Sequence, residues 1–211
     1  MKPASFIAAD ESGIAQAADR IQSGGVIVYP TETVYGLGAD PFNPSAFNRI
    51  FALKGREAEK GLILLIQKRQ DLEALAAEVP VAAETLMEAF WPGPLTLVFA
   101  ASPGLPEHLL GPTPTIALRM SDATIANALV RHVGGPITST SANLSGRSPA
   151  RSAQDAADVL GDRVDLILDG GTAPDPRPST LVDVSVRHPR ILRPGRIAET
   201  DINRILTLES D

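Results

Sequence analysis

Apolar positions fall into short runs separated by Gly- and Pro-rich breaks, and the runs have two different periods. Residues 12–22 place Ile14, Ala17, Ala18 and Ile21 at helical spacing and stop at Gly24-Gly25. That pattern predicts a helix ended by glycine. Residues 44–53 repeat it with Phe47, Ile50, Phe51 and Leu53, and Pro44 suits a first helical turn. Further helices are predicted at 71–77, 81–90, 122–132 with Asp122 near the cap, 153–160 and about 202–206. The runs 26–29 and 62–66 are wholly apolar without alternation, which predicts strands covered on both faces. Strands are also predicted at 95–100, 115–119, 136–140, 164–168, 181–184 and 190–192. Strands and helices are mixed but not in strict alternation. The expected fold is therefore layered α/β, with a mixed sheet, some antiparallel pairs and flanking helices. No repeat or linker divides the chain, so one domain is expected over residues 1–211, with its core at about 12–197.

Two polar runs break this pattern. PITSTSANLSG, residues 136–146, crowds hydroxyls and an amide into a strand exit, and YPTETVYGLG, residues 29–38, does the same near the start. Small donors and acceptors at glycine-bounded turns suit a polar or anionic ligand. Two such loops predict one site assembled from distant segments. Lys54, Arg56 and Lys60 follow a helix end. They read either as cations at the negative end of a helix or as a clamp on phosphate oxygens. Arg193 and Arg196 lie at a strand exit and read as edge charges or anion contacts, while Trp91 reads as packing. Thr31, Thr33 and Asn143 either satisfy their own turns or touch a ligand.

Composition narrows the chemistry. The 211 residues contain no Cys, which excludes disulfides and thiolate metal ligands. There is no Walker loop, GxGxxG, HExxH or GxSxG motif, and His108, His132 and His188 stand apart. No apolar run reaches the roughly 18 residues of a membrane span, and the N-terminus does not read as a signal peptide. A cytoplasmic protein without membrane attachment is expected. The net charge of −6 and 4% aromatic content argue against a broadly basic surface or a base-stacking platform, which leaves a local patch for any RNA contact.

The ordered set YPTETVYGLG, KGREAEKGLILLI, WPGPLTLVF, PITSTSANLSG, PSTLVD and ILRPGRI resembles the YrdC/Sua5 family of threonylcarbamoyl-AMP synthases, in its short bacterial form. The match runs from about Ser12 to Ile197. The resemblance implies an open twisted α/β fold with a large concave positive cavity. It implies the reaction of L-threonine, bicarbonate or CO2, and ATP to threonylcarbamoyl-AMP and diphosphate, with Mg2+. The product would pass to a tRNA threonylcarbamoyl transferase complex that modifies adenosine 37. Carried over by motif, Lys54, Arg56 and Arg193 would be catalytic cations. Lys60, Ser139, Thr140, Ser141 and Asn143 would join them around ATP. Thr31, Thr33, Tyr35, Arg56 and Ser179 would meet threonine, and no protein metal ligands are implied. The family often has His where this chain has Gln67, so a threonine contact from that position is not carried over. Two alternatives are a tRNA- or double-stranded-RNA-binding protein and a related carbamoyl-adenylate enzyme for another amino acid.

Overall fold

Eleven strands are seen among the described residues, divided between two mixed sheets rather than running in one. The computed structural model describes residues 4–55, 61–110, 113–175 and 177–207. The first sheet has the order β1 (Ser5–Ala8), β9 (Leu166–Asp169), β2 (Ile27–Tyr29), β3 (Gly36–Gly38), β8 (Thr140–Ser141). Its first three strands are parallel and its last two are antiparallel additions. The second has the order β11 (Arg190–Arg193), β10 (Thr180–Asp183), β5 (Leu95–Ala100), β6 (Thr115–Arg119), β4 (Ile63–Leu65), β7 (Ile137–Thr138). Parallel pairing joins β10 to β5 and β4 to β6, and the remaining pairs are antiparallel.

The uniform apolarity of β2 has a direct cause. Val28 packs in one core with Ile167 and with Phe47, Ile50 and Phe51 of helix α2 (Pro44–Lys54). Ile27 and Tyr29 face a second core, with Ile14 and Ile21 of α1 (Glu11–Gln22) and Leu129 of α5 (Thr124–Val133). A third core lies on the second sheet, where Leu95, Leu97 and Phe99 meet Leu86 and Met87 of α4 (Val81–Phe90) and Ile202 of α7 (Glu199–Thr207). Helices α3 (Arg69–Leu75) and α6 (Ala153–Leu160) complete the set. Each fully buried Leu, Ile or Phe here adds about 1.5–3 kcal/mol.

The helix ends follow their residues. Asp10 accepts from the Gly13 amide at 2.8 Å to open α1, and Asn43 accepts from Ser45 and Ala46 to open α2. Asp122 stands one residue before the cap of α5. Ala123 occupies the cap position without a side-chain bond, and the Ser121 hydroxyl takes the Ala123 amide at 3.1 Å.

The PITSTSAN run joins the sheets. β7 belongs to one and β8 to the other, with Ser139 between them. The Ser139 amide donates to Ile63 O at 2.7 Å, and the Thr138 amide to Ala39 O at 3.0 Å. The Thr138 hydroxyl accepts from the Ala39 amide and donates to Leu37 O, a staple across the junction.

Candidate functional site

At this junction lies a cavity of about 560 Å³. Its wall includes Thr31, Thr33, Tyr35, Lys54, Arg119, Ser139, Thr140, Ser141, Asn143, Ser179 and Arg193. Ten of these are expected from the sequence, and the fold brings those ten together from five separate segments. Arg56 and Lys60 lie outside the described residues. Arg119 is the addition.

Lys54 ends α2, and its side chain is buried. The ammonium donates to Ser141 O at 2.6 Å and to Asn143 Oδ1 at 2.9 Å, with Asn143 O at 3.3 Å. Ser141 Oγ donates to the same Asn143 Oδ1 at 2.6 Å, and Asn143 Nδ2 donates to Arg147 O at 2.5 Å. This positive charge therefore sits beneath the hydroxyl-rich loop and fixes its shape, which places the loop's small donors around a cation.

The wall also carries two guanidinium groups. Arg193, at the end of β11, donates from Nη2 to Ser179 O at 2.9 Å and Ser179 Oγ at 3.1 Å. Ser179 Oγ also pairs with Thr96 Oγ1 at 2.8 Å. Arg193 Nε is buried without a hydrogen-bond partner among the described residues. Burial, and after it the charge of Arg119, lower the Arg193 pKa, so the two guanidinium groups feel one another. Close backbone contact holds this corner. A Cβ on Gly195 would lie 2.4 Å from Ser179 C and Thr180 N, and the Arg196 amide donates to Pro178 O at 2.9 Å.

Arg119 ends β6, buried, and donates from Nε to Gly93 O at 3.2 Å and from Nη1 to Thr33 Oγ1 at 3.5 Å. Nη2 pairs with Glu32 Oε1, and Glu32 Oε2 accepts from Ser121 Oγ at 2.5 Å. Burial alone would raise the Glu32 pKa. The Arg119 charge and the Ser121 hydroxyl outweigh it and hold the carboxyl below its ordinary range. The sequence pattern singles out neither Arg119 nor Glu32 as a site residue. The available signal was an Arg closing a buried apolar strand and a Glu inside a polar loop.

The hydroxyls of the PTET turn are partly committed to the turn itself. Thr31 Oγ1 donates to Val34 O at 2.6 Å and stands 3.0 Å from Thr33 Oγ1. Tyr35 belongs to the wall, but its hydroxyl donates to Gly171 O at 2.5 Å and accepts from the Gly170 amide at 3.2 Å. Burial raises its phenol pKa.

No group of three His, Cys, Asp or Glu side chains able to hold a metal stands together among the described residues. Glu32, the carboxylate beside Thr31 and Thr33, is already occupied by Arg119 and Ser121. Among the described residues the donor set does not fit a protein-held magnesium ion. No helix among the described residues is long and apolar enough to cross a membrane.

Comparison with known proteins gives a consistent result. The Sua5/YciO/YrdC family model, described as telomere recombination, matches residues 19–195. The chain is 40% identical over 197 residues to a threonylcarbamoyl-AMP synthase of Pyrococcus abyssi, covering 93% of this chain and 58% of that protein. It is 38% identical over 198 residues to a putative threonylcarbamoyl-AMP synthase of Mycobacterium tuberculosis, covering 94% of this chain and 91% of the other. The crystal structure of P. abyssi Sua5 complexed with L-threonine superposes with a TM-score of 0.89 at 39% identity, over 95% of this chain and 59% of that one.

Proposed function

The chain belongs to the Sua5/YciO/YrdC family, and from that premise we propose that it makes threonylcarbamoyl-AMP from L-threonine, bicarbonate or CO2, and ATP. The observation that carries the reading is the cavity. Lys54, Arg119 and Arg193 face it together with the hydroxyls of Ser139, Thr140, Ser141 and Ser179. Such a wall suits a polyphosphate and a small polar amino acid in one space.

The chemistry follows from that wall. The amine of threonine attacks CO2 and loses a proton, which gives a carbamate. A carbamate oxygen attacks the α-phosphorus of ATP, the bond to the bridging oxygen breaks, and diphosphate leaves with its electron pair. This is nucleotidyl transfer without a covalent protein nucleophile. The protein contributes positioning and fixed positive charge. Arg193, which lines the cavity, offers its guanidinium to a phosphate oxygen. The loop held by Lys54 surrounds the nucleotide with Ser139, Thr140, Ser141 and Asn143. Thr31, Thr33, Tyr35 and Ser179 border the amino acid. Arg56 and Lys60, two and six residues beyond Lys54 in sequence, complete the cation set in this reading. Magnesium would arrive with ATP and neutralise its phosphates, and no step is assigned to a protein-bound ion. A partly enclosed cavity also shields the labile carbamate from water.

The product is a mixed anhydride suited to transfer onto an amine. The proposed destination is the transferase complex that modifies tRNA in the cytoplasm. The test is conversion of ATP to diphosphate with bicarbonate and Mg2+, with and without L-threonine. Threonine-dependent diphosphate release, lowered when serine or 2-aminobutyrate replaces threonine, is the expected result. Release indifferent to the amino acid, or none, would overturn the assignment and turn attention to RNA binding.

A further inference from the structure

Glu32 lies between two cavity threonines, yet it is itself absent from the cavity wall. It is 7% exposed, and all three of its oxygens have partners. Oε1 pairs with Arg119 Nη2, Oε2 accepts from Ser121 Oγ, and its backbone carbonyl accepts from Arg196 Nη1 at 3.1 Å. Arg119 is 4% exposed and does line the cavity. Gly93 O, Thr33 Oγ1 and Glu32 hold its guanidinium at Nε, Nη1 and Nη2. A guanidinium has five N–H donors in a rigid fork, so contacts to all three nitrogens fix its plane.

The site thus contains one buried and one half-buried arginine with opposite provision. Arg119 has a carboxylate partner. Arg193 has hydroxyl and carbonyl partners, and its buried Nε has none among the described residues. Two like charges in one low-dielectric space repel, and a buried charge with a carboxylate on one side attracts an anion on the other less strongly.

We propose that Glu32 is a positioning residue, whose carboxylate fixes the Arg119 guanidinium in the cavity wall and moderates the pull of that wall on a polyanion, so that diphosphate is released after the transfer. The proposal rests on reading the cavity as the ATP and diphosphate site. A wall with fully uncompensated arginines would hold diphosphate more tightly than turnover tolerates, and a free Arg119 would lose its fixed plane.

The test is titration of the purified protein with inorganic diphosphate, alongside turnover. Glu32→Gln keeps an acceptor for Arg119 and removes the charge. It is expected to tighten diphosphate binding about 5- to 10-fold and to lower kcat and the KM for ATP together. An unchanged or weakened diphosphate affinity overturns the proposal. Should the buried Arg119 of this variant prevent folding, a second pair decides. Arg119→Met leaves Glu32 uncompensated and is expected to weaken diphosphate binding about tenfold or more. The neutral pair R119M/E32L, which removes both buried charges, is expected to recover several-fold of that loss. No recovery overturns the proposal. A purely structural role would lower stability without moving diphosphate affinity in opposite directions. The titration does not depend on the amino acid substrate. Absence of threonine-dependent turnover would count against the enzymatic reading, and the diphosphate affinities would still decide the role of Glu32.

Discussion

The buried ammonium of Lys54 lies 2.9 Å from Asn143 Oδ1, and that amide in turn holds Arg147 O through its nitrogen. The pair couples the end of α2 to the hydroxyl-rich loop, 89 residues away. Asn143→Ala removes one acceptor from a buried cation and one donor from the loop. The expected cost is about 1–3 kcal/mol, or about 2–4 °C in melting midpoint per kcal/mol for a chain of this size. Thermal unfolding followed by circular dichroism checks it, and turnover should fall as well, because Ser139, Thr140 and Ser141 lose their fixed placement.

Much of this arrangement was legible before any coordinates. The uniform runs at 26–29 and 62–66 predicted doubly covered strands, and β2 and β4 are interior strands. The two polar loops predicted one site from distant segments, and they meet across the junction of the sheets. Three strands carried no readable signal. β1 is four residues long at a sheet edge and mostly exposed, too short to show a strand period. β8 is two residues long. β3 reads GLG, which has poor strand propensity. It forms because the buried Tyr29 ring covers it: a Cβ on Gly38 would stand 2.9 Å from Tyr29 Cε1. The Glu32–Arg119 pair was hidden for another reason. It joins residues 87 apart, and no local pattern records such a partner.

Arg193→Ala separates function from folding. The side chain is half-buried and holds Ser179 through Nη2, so its removal should lower the melting midpoint by only about 2–4 °C. Loss of a charged donor at the phosphates should lower kcat by about 100-fold or more. Arg193→Lys should not restore it, because an ammonium cannot reproduce the fork held by Ser179. Steady-state turnover of the two purified variants is the check.

Gly195→Ala should damage both properties. Its Cβ would fall 2.4 Å from the backbone of Ser179 and Thr180, where no flexible side chain can yield. The corner must open, at a cost of about 1–3 kcal/mol, and Arg193 is carried away from Ser179. A lower melting midpoint together with a loss of turnover comparable to Arg193→Ala is expected. Normal activity in this variant would show that the Arg193–Ser179 corner does not set the site.

Acid and neutral stability should respond differently to Asp122 and Glu32. The Asp122 pKa is raised, first by burial and then by the charge of Glu32. A carboxyl raised in the fold contributes stability below its unfolded value of about 3.9, and the contribution is lost as pH rises through the folded value. At pH 7 its charge is therefore a cost. Asp122→Asn should raise the melting midpoint at pH 7 by about 1 °C and give no gain near pH 3. Glu32 has the opposite sign: its pKa is lowered, so its contribution is present above about 4.3 and lost on further acidification. Melts of parent and Asp122→Asn at the two pH values test this, and an equal gain at both would contradict it.

The central claim is that this cavity joins threonine, a one-carbon unit and AMP. It is tested most directly by mass analysis of the product formed from ATP, L-threonine and isotopically labelled bicarbonate. The account predicts an adenylate that carries threonine and the labelled carbon together, formed by the parent and nearly abolished in Arg193→Ala. An adenylate without the label, or label incorporated equally by Arg193→Ala, would contradict it.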